Sequence, residues 1–260
     1  SAPRPLEGVR VVEFSHMVMG PTCGLILADL GADVVKVEPA PGGDNTRRLP
    51  GSGSGYFGTY NRNKRSISVN LKSVEGLEFA THLVRASDVL LENFGPGVLD
   101  RLGLGYDAMQ EINPSLVYCA LKGFLSGPYE QRAALDEVVQ MMGGLAYMTG
   151  PEGRPLRAGA SVNDVMGGLF GVIAIQAALL ERQRTGKGTF VRSGLFENNM
   201  FLVAQHMVQY HQTGVPAVPM PERVSAWAVY DVFETADSEK IFVGVVSDKQ
   251  WTQFCNAFGL

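Results

Sequence analysis

The run SVNDVMGGLFG, residues 161–171, places a single acid, Asp164, at the head of the most apolar helical stretch in the chain. The next acidic residue is Glu181. A carboxylate so placed has two readings. As a charge near a helix N-terminus it complements the helix dipole and contributes about 0.3–1 kcal/mol. As a carboxylate held away from water it can act as a nucleophile, dividing one difficult group exchange into easier steps. Position and composition alone favour the first reading.

A second concentration of chemistry lies between Asn45 and Val74, where Arg47, Arg48, Arg62, Lys64, Arg65 and Lys72 occur with no acid among them. In a chain of net charge −4, that asymmetry points to a small anionic ligand or to a solvated basic loop. Tyr56, Phe57 and Tyr60 add stacking surfaces. The GxGxxG match in GSGYFG, residues 53–58, lacks both the preceding strand and the following apolar helix of a dinucleotide fingerprint. A flexible surface loop is expected there. The four histidines show no metal-ligand spacing, so no metal site is expected, but His16 stands directly after a strand, where α/β sheets place ligands. No serine sits in a GxSxG elbow.

The elements that must position these residues alternate. VRVVEF (residues 9–14) and DVVKVE (33–38) read as strands flanking a helix over residues 20–32, with Pro21 at its start. Helices over 74–86 and 106–112 lead to strands at 88–93 and 115–121, and long helices are expected over 135–148, 164–184 and 195–211. This is the α/β class, with parallel strands and crossover helices. Residues 1–213 form a large domain, the proline-rich stretch 214–224 a linker, and 225–260 the beginning of a smaller α+β domain. Three scattered cysteines suggest reduced thiols. The absence of a secretory leader, and of an apolar run of membrane-spanning length, makes the cytoplasm the expected location, with no membrane partner. Net acidity argues against nucleic acid as a partner.

Four ordered blocks carry a resemblance: PLEGVRVVEFSHMVMGPTCGLILADLGADVVKVEPAPGGD, NRNKRSISVNLKSVEG, ENFGPGVLDRLGLGYDAM and ALLERQRTGKGTFVRSGLFE. Together they resemble the class III CoA-transferases of the CaiB/BaiF type across essentially the whole chain. The resemblance implies a Rossmann-like large domain and, at full length, an interlocked homodimer. Family members are longer, so the rest of the small domain is expected to be absent, which leaves open whether these residues suffice for activity. It further implies acyl-CoA and a small carboxylic acid as substrates, with no tightly bound cofactor, and Asp164 as the nucleophile that carries CoA as an aspartyl thioester. Backbone N–H groups at the helix start are expected to stabilise charge there, and the glycines after Asp164 to leave room for the thioester. The CoA-binding positions implied are His16, Met17 and Val18 after the first strand, Val69, Leu71 and Lys72, and Asn93, Phe94 and Arg101, with the basic cluster meeting CoA phosphates.

The chain departs from the family in places. Gly95 stands where many members have arginine, and Pro39 where the formyl-CoA branch has an arginine near adenine, so the adenine contacts and an oxalate or formate acceptor stay open. The related α-methylacyl-CoA racemases use a histidine at the position of Leu135 in RAALDEVVQ. That loss favours transfer over racemisation, and a short dicarboxylic acid is the expected acceptor. A non-catalytic acyl-CoA-binding module is the reading from another class.

Overall fold

The structure, a computed structural model, describes residues 4–260. The strands are β1 (Arg10–Phe14), β2 (Asp33–Pro39), β3 (Arg65–Val69), β4 (Val89–Glu92), β5 (Val117–Lys122), β6 (Phe190–Gly194), β7 (Val229–Glu234) and β8 (Lys240–Val245). The helices are α1 (Met19–Asp29), α2 (Tyr56–Tyr60), α3 (Val74–Arg85), α4 (Val98–Arg101), α5 (Tyr106–Ile112), α6 (Asp136–Met142), α7 (Leu145–Thr149), α8 (Val162–Thr185), α9 (Leu195–Thr213) and α10 (Asp248–Phe258).

β1 to β6 form one parallel sheet in the order β3-β2-β1-β4-β5-β6. This is the doubly wound order, and its direction of winding reverses between β1 and β4. Successive strand residues point to opposite faces, so each strand feeds two cores. Val11, Val34, Val89, Leu91, Val117 and Cys119 pack with Cys23, Leu27, Val172 and Ile175 of α1 and α8. On the other face Val12, Phe14, Val37, Leu90 and Tyr118 pack with Ala80, Val84 and Met109. β7 and β8 form a separate antiparallel pair, followed by α10.

Several expectations change. The single helix expected over 135–148 is two, because Gly143 ends α6 and Gly144 takes φ 84°, a left-handed conformation open to glycine at little cost. The GSGYFG segment is not a flexible loop: residues 51–53 form a 3-10 turn and Tyr56 opens α2. α8 is long and apolar enough to cross a membrane by length and composition, contrary to the expectation of no such run. It instead lies on the sheet, with Val172, Ile175 and Leu179 in the core and Leu169, Ile173 and Leu180 exposed on its outer face.

The glycines of α8 also have a different use from the one expected. A Cβ on Gly168 would meet Met19 O and Thr22 Cβ at 2.8 Å, and one on Gly167 would meet Met19 Cε at 2.4 Å. One on Gly171 would meet Leu121 Cδ2 at 2.8 Å. The glycines make room for α1 and the sheet rather than for a thioester, and they bring the start of α8 beside the start of α1.

Candidate active site

α8 begins at Val162, so Asp164 is the third residue of its first turn, and Ser161 at the cap position makes no side-chain cap bond. The cap comes from elsewhere. Asp136, at the start of α6, accepts through Oδ2 from the N–H groups of Asn163 at 2.7 Å and Asp164 at 2.9 Å. Its Oδ1 accepts from Gln140 Nε2, and Gln140 Oε1 accepts from the Ala158 N–H at 2.8 Å. Asp136 and Gln140 therefore tie α6, the 150–161 strap and the head of α8 together. A buried carboxylate that caps a helix in this way stabilises it by about 1 kcal/mol. The expected backbone oxyanion donors are already committed: Val162 N–H bonds to Ala160 O, Val165 N–H to Ser161 O, and the two between them to Asp136.

Burial pushes the Asp164 carboxyl up to about 7, the Asp136 charge pushes in the same direction, and the Arg157 guanidinium pulls against both. A carboxyl so placed is divided between acid and anion near neutral pH.

Asp164 borders a cavity of about 310 Å³ and is the one carboxylate among the described residues that line it. The opposite wall is the switch point of the sheet, where the loops after β1 and β4 part. There Asn93 Oδ1 accepts from the His16 N–H at 2.9 Å, and Asn93 Nδ2 donates to His16 O at 2.9 Å. The His16 ring stacks on Phe94 with centroids 5.8 Å apart. Burial lowers the His16 pKa, which favours the neutral ring. Lys122 and Arg132 supply the cations of the lining. Lys122 is held by Glu92 at 2.5 Å and by Phe94 O at 2.8 Å.

The loop after β1 is fixed from beneath by buried charges. Lys36 Nζ donates to Ser15 O at 2.7 Å and pairs with Asp44 at 3.2 Å, while Lys64 pairs with Glu13 at 2.9 Å. Met17 in this loop adopts φ 63°.

Of the positions singled out in the sequence, the fold gathers Asp164, His16, Asn93 and Phe94 around one cavity. Val18 is buried at the start of α1, and Met17 stands beside Thr46. Val69, Leu71, Lys72 and Arg101 do not line the cavity. Val69 and Leu71 contribute to the core at the far end of β3, and the Lys72 and Arg101 side chains are exposed.

Four of the six residues of the basic cluster are paired with acids. Arg47 binds Glu38 through Nε and Nη2, both at 2.7 Å, Arg62 binds Asp29 at 2.7 Å, and Arg65 pairs with Asp33. Lys64 is buried on Glu13. Burial works to raise the Glu38 carboxyl, but Arg47, the Asp44 N–H and Ser66 hold it down at about 2. Acids from β1, β2 and α1, between 9 and 51 residues away in sequence, meet these cations once the sheet forms.

Asp136, Gln140, Lys122 and Arg157 were not among the expected site residues. The Asp-x-x-x-Gln spacing at the start of α6 is visible in the sequence, but nothing local says that its partner is the head of another helix.

The chain is similar to known proteins along most of its length. The chain matches the profile described as CoA-transferase family III over residues 6–260. It is 37% identical to a succinate–glutarate CoA-transferase of Agrobacterium fabrum, covering 98% of this chain and 67% of that protein. It is 49% identical to a formyl-CoA:oxalate CoA-transferase of Streptomyces coelicolor, covering 71% of this chain and 46% of that protein. The crystal structure of a CAIB/BAIF family protein from Brucella suis superposes with a TM-score of 0.87 at 38% identity, over 98% of this chain and 70% of that one. With an α/β sheet of the same fold, a profile match along nearly its whole length and relatives at these identities, the chain belongs to CoA-transferase family III.

Proposed function

We propose that the protein moves CoA from an acyl-CoA donor to a carboxylic acid acceptor, with Asp164 as the nucleophile. The observation that carries this reading is the single carboxylate facing the switch-point cavity formed by His16, Asn93 and Phe94. The curated relatives named as CoA-transferases support it, although the chain spans only 67% and 46% of the two compared.

In this mechanism a carboxylate oxygen of Asp164 attacks the thioester carbonyl, the C–S bond breaks, and CoA leaves as a thiolate. The thiolate then attacks the Asp164 carbonyl of the resulting anhydride, which releases the donor's carboxylate and leaves CoA as an aspartyl thioester. An acceptor carboxylate attacks that thioester and expels the thiolate again. The thiolate finally takes the acceptor acyl group and frees Asp164. No net proton is consumed, and each step conserves an activated acyl bond. With the first-turn N–H groups committed to other partners, Lys122 and Arg132 are the cations available to developing negative charge. His16 and Phe94 form a flat wall suited to the pantetheine arm, and the Asn93–His16 pair fixes its shape. His16, Met17, Val18, Val69, Leu71, Lys72, Asn93, Phe94 and Arg101 serve as the CoA-binding positions, with Val69, Leu71, Lys72 and Arg101 continuing the site outside the cavity, at and beyond the C-terminal ends of β3 and β4. A homodimer and a cytoplasmic location accompany this reading.

The test is trapping. The protein is incubated with an acyl-CoA, quenched with hydroxylamine, and the modified peptide mapped by mass spectrometry. A hydroxamate at Asp164 that depends on the donor is expected. CoA binding with no adduct would identify a binding module instead. Rapid exchange of the donor's α-proton in deuterated water without any acceptor would identify a racemase.

A further inference from the structure

Arg157 lines a second recess, of about 420 Å³, with Ser52, Tyr56, Tyr60 and residues 158–161. The recess is closed by residues 158–161, which lead into the first turn of α8 where Asp164 lies, and the Asp164 charge bears on both Arg157 and the Tyr60 hydroxyl. The walls carry hydroxyl groups and one guanidinium. That guanidinium is only partly used. Its Nε donates to Ala158 O at 3.1 Å, its Nη1 meets Glu137 Oε1, and among the described residues Nη2 has no partner. Glu137 is 58% exposed. An ion pair with so exposed a partner is weak, so another carboxylate can replace it at little cost. The remaining cations near Asp164, Lys122 and Arg132, belong to the cavity that holds His16, Asn93 and Phe94.

We propose that Arg157 selects the acceptor: its guanidinium holds the distal carboxylate of a dicarboxylic acid, and Glu137 occupies that guanidinium when no acceptor is bound. The inference rests on the transferase reading of Asp164 and adds the residue that sets the substrate class. A guanidinium presents paired donors that match a carboxylate. Thioester formation removes the negative charge of Asp164, so the attraction of Arg157 for an incoming dianion is greatest when the acceptor must bind. The acceptor's proximal carboxylate oxygen then bonds to Asp164 Cγ, the Cγ–S bond breaks, and CoA departs as thiolate. The distal carboxylate takes no part in bond making, which makes its contribution one of binding and orientation.

The test compares glutarate with valerate, which has the same chain length and one carboxylate, as acceptors from a common acyl-CoA donor. In an exchange that passes through an enzyme-bound intermediate, the acceptor kcat/KM reports only the second half-reaction. Arg157→Gln is expected to lower the glutarate-to-valerate ratio of kcat/KM about ten- to a hundredfold, the worth of a lost charge-assisted contact. Arg157→Lys is expected to restore part of the ratio. Glu137→Gln is expected to lower KM for glutarate by up to about fivefold. A ratio that moves by less than about threefold in Arg157→Gln, while the Asp164 adduct still forms, overturns the role of Arg157 and leaves the transferase reading intact. Failure to form any adduct in the unaltered protein overturns both.

Discussion

Replacing Asp164 by asparagine is expected to stabilise the protein above neutral pH. A carboxyl raised from its ordinary 3.8 to about 7 in the folded state prefers its protonated form there, while the unfolded chain ionises it freely. The stability associated with this group is fully present below about pH 4 and is lost as pH rises through 7. At roughly 1.4 kcal/mol per tenfold change, the displacement corresponds to about 4 kcal/mol, and access of cavity water reduces the expected gain to about 2–4 kcal/mol. Asparagine is neutral and nearly isosteric. It also keeps the helix cap, because Asp136 accepts from the backbone N–H of residue 164 and not from its side chain. Urea denaturation of both proteins from pH 4 to pH 8.5 measures the difference. The gap in favour of Asp164→Asn opens between pH 4 and 7 and stays constant above. Equal or lower stability of the variant at pH 8, or a gap independent of pH, would refute the claim that the site holds this carboxyl against its solvation. Strain of this kind, removed at the expense of activity, is a recurrent property of catalytic groups.

Adduct formation at Asp164 requires the anion, so its rate is expected to rise with pH through about 7 and then level off; Asp136→Asn removes the charge that assists burial in raising the carboxyl, which moves that limb to lower pH in a trapping assay. The same variant weakens the cap on α8 by about 1 kcal/mol, read as a lower urea midpoint. Gly168→Ala places a methyl 2.8 Å from Met19 O and Thr22 Cβ; overpacking of this kind is expected to destabilise by about 1–3 kcal/mol, and an unchanged midpoint would show that α1 and α8 can separate freely.

The central strands were legible because each is buried on both faces: VLLE in β4 and VYCALK in β5 are nearly continuous apolar runs. β3 and β6, the two edges of the sheet, went unread. An edge strand contacts one neighbour and keeps water nearby, so RSISV and FVRSG carry polar residues that disguise them. The sequence by itself determined the α/β class, the order of the main helices and strands, the family blocks, and Asp164, His16, Asn93 and Phe94 as the residues to watch. The elements follow from periodicity and the blocks from short contiguous motifs, which a linear chain displays directly; Asp164 as nucleophile, Asn93 and Phe94 follow only from the resemblance that those blocks carry. Only the tertiary structure decided that four of the six residues of the basic cluster are paired with Glu38, Asp29, Asp33 and Glu13, that the glycines of α8 serve helix packing, and that Asp136 caps a helix 26 residues beyond itself. Charge neutralisation, close approach and capping depend on which groups meet in space, and those meetings exist only after the sheet has ordered its strands.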